Sequence, residues 1–263
     1  MASDPSAADR LLEEAVAAAG GQFPEAQLTR CQLLASQGLG DEALGGFSDI
    51  RDPASLPARD LSELAEVARA SGSMLLAELA LKAAHRPGPD LPDVLRQSIR
   101  FHLETDQNDR ALEECQELLK SAPDDVSAWQ VQGAILPERK RPPEAETAFR
   151  EALKHPSSIE QQSQIREQLT RVLLDQGRTE EARQELDLLR EASPLTAEAR
   201  LMDADVDRLQ GDWGRARQTV DWLLANAPAS ELQARLPNAM LWIDQREPAR
   251  AIPDLEIVVV RQP

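Results

Sequence analysis

Residues 126–156 read VSAWQVQGAILPERKRPPEAETAFREALKHP. Trp129, Gly133 and Leu136 stand four and three residues apart, on one face of a helix. Ala145, Phe149 and Ala152 repeat that spacing as a small–large–small series on a second helix. Pro143 suits the first turn of this second helix, where its missing N–H is harmless. The stretch therefore predicts a helix–turn–helix whose two stripes face each other. Each stripe is too thin to fold alone, so the unit needs neighbours.

Those neighbours are present on both sides. Pro89, Pro123, Pro156, Pro194, Pro228 and Pro263 are separated by 34, 33, 38, 34 and 35 residues. The long gap predicts a four-residue insertion within Ser157 to Gln162. The second-helix series returns as Ala43–Phe47–Ile50, Ala77–Leu81–Ala84 and Ala111–Cys115–Leu118, then as Ala182–Leu186–Leu189 and Ala216–Val220–Leu223. Gly38, Gly72, Gly177 and Gly211 mark turns between paired helices, where glycine ends a helix in the left-handed conformation. Asp41 and Thr179 are expected to cap the helices that follow.

The unit resembles the tetratricopeptide repeat family, whose 34-residue unit is a helix–turn–helix. The resemblance runs from about Pro24 onward, with Leu136 in place of the signature Tyr and Gln132 in place of Leu. It implies an all-α fold, a right-handed superhelical solenoid of antiparallel helix pairs. Residues 1–23 are expected to form a capping or half-repeat helix, roughly Ser6 to Ala19. Residues 24–263 are expected to form an array of about seven units. Pro237 and Pro253 fall where helix interior is expected, and Pro137 late in a first helix, so the last unit reads as irregular. No polar capping helix closes the pattern at Pro263.

Composition narrows the function. The net charge of −17 gives no dense basic face for nucleic acid. Aromatic residues are only 3% of the chain, which argues against the sugar-stacking clefts of toroidal helical enzymes. No stretch approaches the roughly 18 apolar residues of a membrane span. Met1 to Asp9 lacks a basic and then apolar leader, so a soluble protein, cytoplasmic or periplasmic, is expected. No phosphate loop, dinucleotide fingerprint or nucleophile elbow is present. His85, His102 and His155 lack metal spacing. His102 falls on a core position, and the other two suit helix ends. Cys31 and Cys115 read as buried thiols. Paired carboxylates such as Glu113-Glu114 read as solvated faces. No catalytic residue, cofactor or metal is expected.

A binding surface is what remains. In the resembled family the first helices line a concave face that takes an extended peptide or a helix of a partner. The Lys, Asn and Arg clamp for a C-terminal carboxylate is not matched here. Instead Arg59, Arg69, Arg96, Arg100, Arg171 and Arg208 are expected to face inward, among acids such as Glu63, Glu66, Glu104 and Asp205. Arg96 and Arg100, one turn apart on one helix, are expected to converge on a partner carboxylate. The expected function is a protein–protein interaction scaffold. The alternative is the repeat part of a larger bacterial envelope or exopolysaccharide-export machine that recruits an enzyme or guides a polymer.

Overall fold

The computed structural model describes residues 5–18, 23–192 and 194–261. Pro263 of the proline ruler and Ala19 of the first helix lie outside them. Among these residues the structure is all α-helical, with no strand. Helix α1 (Pro5–Ala18) is followed by seven antiparallel pairs. They are α2 (Pro24–Ser36) with α3 (Gly40–Ser48), α4 (Ala58–Ala70) with α5 (Met74–Ala84), and α6 (Leu91–Glu104) with α7 (Asn108–Ser121). Then come α8 (Val126–Ile135) with α9 (Pro142–Ala152) and α10 (Ile159–Asp175) with α11 (Thr179–Ala192). The last are α12 (Ala197–Leu209) with α13 (Trp213–Asn226) and α14 (Glu231–Asp244) with α15 (Pro248–Arg261). The chain divides into two compact units, Met1–Ala128 and Trp129–Pro263. No helix among the described residues is long and apolar enough to cross a membrane.

The turns between paired helices set the frame. Gly38, Gly72, Gly177 and Gly211 have positive φ, and so do Asp106, Lys140 and Arg246. These seven positions follow one another at 34, 34, 34, 37, 34 and 35 residues. Each turn carries the same two backbone bonds. At the first, Leu39 N donates to Leu34 O and Gly38 N to Ala35 O, both at 3.0 Å. At the third, Gln107 N donates to His102 O at 2.7 Å and Asp106 N to Leu103 O at 3.3 Å. These are the paired bonds of a Schellman motif. Three units make the turn without glycine, which is why glycine spacing alone shows only four of them.

The turn is one or two residues tighter than the sequence predicts. Leu39, not Asp41, is the N-cap of α3, and Asp41 lies in the first turn of that helix. Thr179 is likewise the first residue of α11 rather than its cap. The residue after the left-handed one both closes the first helix and opens the second, leaving no room for a separate capping residue. Asp212 does both: Asp212 Oδ1 accepts from Arg215 N at 3.1 Å.

The stripes pack as the spacing requires. All residues of the six second-helix series are buried, none more than 5% exposed. A Cβ on Gly133 would stand 2.6 Å from the Phe149 ring, so the ring of α9 packs directly on the α8 backbone there. The insertion near Ser157 is absorbed by α10, which at 17 residues is the longest helix described. Its cap is Ser158, whose hydroxyl accepts from Gln161 N at 3.1 Å. Pro137 sits just beyond the end of α8, which is only 10 residues long. Pro237 and Pro253 do fall inside helices: α14 and α15 run through them. Helix α1 packs on α2.

Cys31 and Cys115 are free and buried. Burial pushes the Cys31 thiol up to about 11 and the Cys115 thiol up to about 12. Neither is a thiolate at neutral pH, so both act as small apolar fillers.

Candidate interaction surface

First helices neighbour one another within each unit: α2 meets α4 and α4 meets α6 in the first, while α10 meets α12 and α12 meets α14 in the second. The six arginines lie on this layer, and every one already holds a carboxylate. Arg69 donates to Glu104 at 2.9 and 3.0 Å, joining α4 to α6. Arg208 donates to Asp244 at 2.8 Å, joining α12 to α14. Both arginines stand three residues before a left-handed turn residue, so they are one bridge used twice. Their side chains are 25% and 15% exposed. Arg171 pairs with Glu198 and Arg100 with Glu66, again between successive first helices. Such partners, some 35 residues away, are invisible to a search one helical turn either side.

Arg96 and Arg100 do not converge. Arg100 sits with Glu66 and Arg69 over a slot too small for a ligand. Arg96 turns toward the α4–α6 cleft, where it donates to Asp93 at 2.6 Å and to Asp125 at 2.7 Å. Asp125 is itself a cap, accepting from Ala128 N at 2.9 Å, so Arg96 is anchored to a fixed carboxylate. The hydrogen bond that Arg96 donates to Asp125 raises its pKa and keeps the guanidinium charged.

The α4–α6 cleft has a volume of about 520 Å³. Arg59 and Arg96 flank it, and Ser62, Val94 and Gln97 line it. Arg59 is the most available of the six, 79% exposed and held only by Glu63 at 3.3 Å. Ser62 Oγ and Gln97 Oε1 are buried there without a hydrogen-bond partner. Such groups cost free energy unless something satisfies them. In the second unit a smaller cleft of about 240 Å³ is lined by Gln130, Gln164, Glu167, Gln168, Arg171 and Glu198. Gln130 donates across it to Gln168 at 3.2 Å. Ser62 and Gln97 carry no signal in the sequence, since neither is the Asn of the resembled clamp.

The profile of the tetratricopeptide repeat family matches residues 101–159 and 168–231. A tetratricopeptide repeat protein from Parabacteroides merdae superposes with a TM-score of 0.68 at 18% identity, over 78% of this chain and 80% of that one. Pseudomonas aeruginosa pilF superposes at 0.56 with 18% identity, over 79% of this chain and 93% of that one. YrrB, described as a repeat protein with an unusual peptide-binding site, gives 0.56 at 15% identity, over 65% and 87%. These identities speak for the fold alone. No curated protein matches the chain.

Proposed function

Because this chain belongs to the tetratricopeptide repeat family, we propose that it is a protein-interaction scaffold whose α4–α6 cleft receives an extended segment of a partner protein. One observation carries the reading: Ser62 Oγ and Gln97 Oε1 lie unpartnered in a cleft flanked by two guanidinium groups. An extended peptide brings what is missing, an N–H for Gln97 Oε1 and a carbonyl for the Ser62 hydroxyl. Arg59 and Arg96 would then exchange an internal carboxylate for one on the partner. Exchange between exposed pairs costs little, because such pairs are worth about 0–1 kcal/mol. The bond from Arg96 to buried Asp125 is kept. The reading is of a binding protein and not of an enzyme, with a peptide or protein and not nucleic acid as partner. The peptide-binding site described for YrrB is consistent with this use of the fold.

Affinity capture from the source organism tests it with three forms of the chain. Arg59→Glu/Arg96→Glu and Gln97→Ala should each reduce recovery of the partner at least tenfold. Arg100→Glu should not, with helical content equal in all. Full recovery with the first two forms would move the interface off this cleft.

A further inference from the structure

A second cavity lies away from that cleft, among α5, α6 and α7, with a volume of about 510 Å³. Its inner wall carries Ser98, His102 and Glu114. Ser98 Oγ donates to Glu114 Oε1 at 2.6 Å, and His102 Nε2 lies 3.4 Å from the same oxygen. Glu114 Oε2 and His102 Nδ1 are buried with no partner. His102 is 6% exposed. Glu114, which the sequence placed on a solvated face, has a side chain only 14% exposed. Burial raises its carboxyl above the usual carboxylate range.

The repeat frame shows what belongs beside such a carboxylate. Glu114, Glu185 and Asp254 all stand eight residues after a left-handed turn residue. Arg166 donates to Glu185 at 2.5 Å, and Arg235 donates to Asp254 at 2.7 Å. Both arginines stand eleven residues before the turn residue, a position that is Leu95 in the α6–α7 pair. In the α14–α15 pair of Asp254 a second arginine, Arg217, enters from the preceding second helix, six residues after its own turn residue. Arg183 enters the α12–α13 pair in the same register, although the eighth position there is Thr219. Arg183 there donates to Asp203 at 2.5 Å and also to Asp207. Arg217 donates to Asn238 at 3.0 Å and lies 3.5 Å from the centre of the Trp242 ring. In α5 that position is Glu78. Helix α9 also has a glutamate there, Glu146, but Arg178 and Arg150 both close on it.

The α5–α7 crevice therefore keeps three elements of a guanidinium seat. It has the acid Glu114, the hydrogen-bonding neighbour Ser98, which takes the register of Asn238, and the ring His102, which takes the register of Trp242. It lacks both of the chain's own arginines at the positions that supply them elsewhere. Arg110, at the rim, is engaged by Glu78 at 2.8 Å. Glu113 and Glu117 add negative charge, His85 is taken by Glu117 at 3.2 Å, and Lys82 is exposed. We propose that this cavity binds a guanidinium group from outside the chain, stacked on His102 and hydrogen-bonded to Glu114. The source is an arginine side chain of a protein or a free arginine derivative. The site uses none of the residues of the α4–α6 cleft, so either can fail without the other.

Calorimetric titration of the full chain with N-acetyl-arginine amide tests this. Saturable binding is expected, at least tenfold tighter than for the neutral isostere N-acetyl-citrulline amide or for N-acetyl-lysine amide. Glu114→Gln should weaken it at least tenfold. Glu78→Arg supplies the arginine found at 183 and 217 and gives up only the half-exposed pair with Arg110, so it should abolish binding with little change in Tm. If Glu114→Gln fails to fold, Glu78→Arg decides alone. No saturable heat, equal binding of the citrulline or lysine probe, or binding unchanged in Glu78→Arg would overturn the proposal. A short peptide with one central arginine identifies the source: tighter binding than the amide points to a protein, equal binding to a small molecule.

Discussion

The α5–α7 crevice of the first unit and the arginine-filled crevices of the second are built on one backbone frame and finished in opposite ways. In the second unit Arg183 reaches between helices to Asp203 and Asp207, and Asp207 is only 2% exposed. Buried charge there is matched inside the chain. In the first unit the register of Arg183 holds Glu78, and Glu114 keeps one oxygen unpartnered. A helical repeat fixes where a side chain points, and neighbouring units then differ in which side chain is placed there. The difference teaches that stability and an open site are alternative uses of one position.

The largest expected effect lies on the filled side. Arg183→Ala leaves Asp203 with Arg190 alone and buried Asp207 with only Arg215, 3.9 Å away, and should destabilise the second unit by about 3 kcal/mol. Urea unfolding followed by circular dichroism would measure it. A loss under about 1 kcal/mol would break the comparison, because the filled crevice would then owe little to its arginine.

A smaller effect tests the frame that makes the crevices comparable. Lys140 holds a left-handed backbone at φ 58°. A left-handed non-glycine residue costs about 1–2 kcal/mol, partly offset by the chain entropy that glycine adds to the unfolded state. Lys140→Gly should therefore stabilise by about 0.5–1 kcal/mol. The reverse change, Gly177→Ala, should destabilise by a similar amount at an equivalent turn. A loss of stability in Lys140→Gly would mean that the lysine side chain, and not the backbone, sets the turn there.

The smallest effect is one of pH. Burial holds the Glu114 carboxyl above its usual range, so the folded chain binds a proton that the unfolded chain releases. That contribution is fully present below the ordinary carboxylate pKa and is lost as pH rises through the raised one. Wild type should therefore gain stability relative to Glu114→Gln as pH falls from neutrality into the carboxylate range. Glu146 should show the opposite slope. Burial opposes its ionisation, but hydrogen bonds from Arg178 and Arg150 outweigh that and hold it below its usual range. Its contribution is present above the ordinary pKa and is lost as pH falls through the lowered one. Parallel slopes for Glu114→Gln and Glu146→Gln would erase the distinction between the open crevice and the filled one.

Much of this could be read in the sequence, for a definite reason. Helix pairing is local: Ala145, Phe149 and Ala152 show their common face because helical spacing is fixed at 3.6 residues per turn. The six series, the four glycine turns and the extra residues near Ser157 all lie within this reach. So does the burial of His102 and the two cysteines. The arginines of the first-helix layer were legible as a set, but not in their roles. Arg69 and Arg208 bind the next unit, Arg100 is held by Glu66, and Arg96 is directed by Asp125.

Sequence alone, then, determined the helix pairs, the repeat and the residues of the buried stripes, since each depends on spacing within about ten residues. Tertiary structure alone decided which turns are left-handed without glycine, which carboxylate each arginine holds, and which crevices stay open. Those outcomes depend on side chains some 30 residues apart, brought together only when successive pairs stack. Asp106, Lys140 and Arg246 take positive φ because the closing bonds and the packed helices on either side require it, against their own preference. Glu114 is buried without an arginine because Leu95 and Glu78 stand where other units place one.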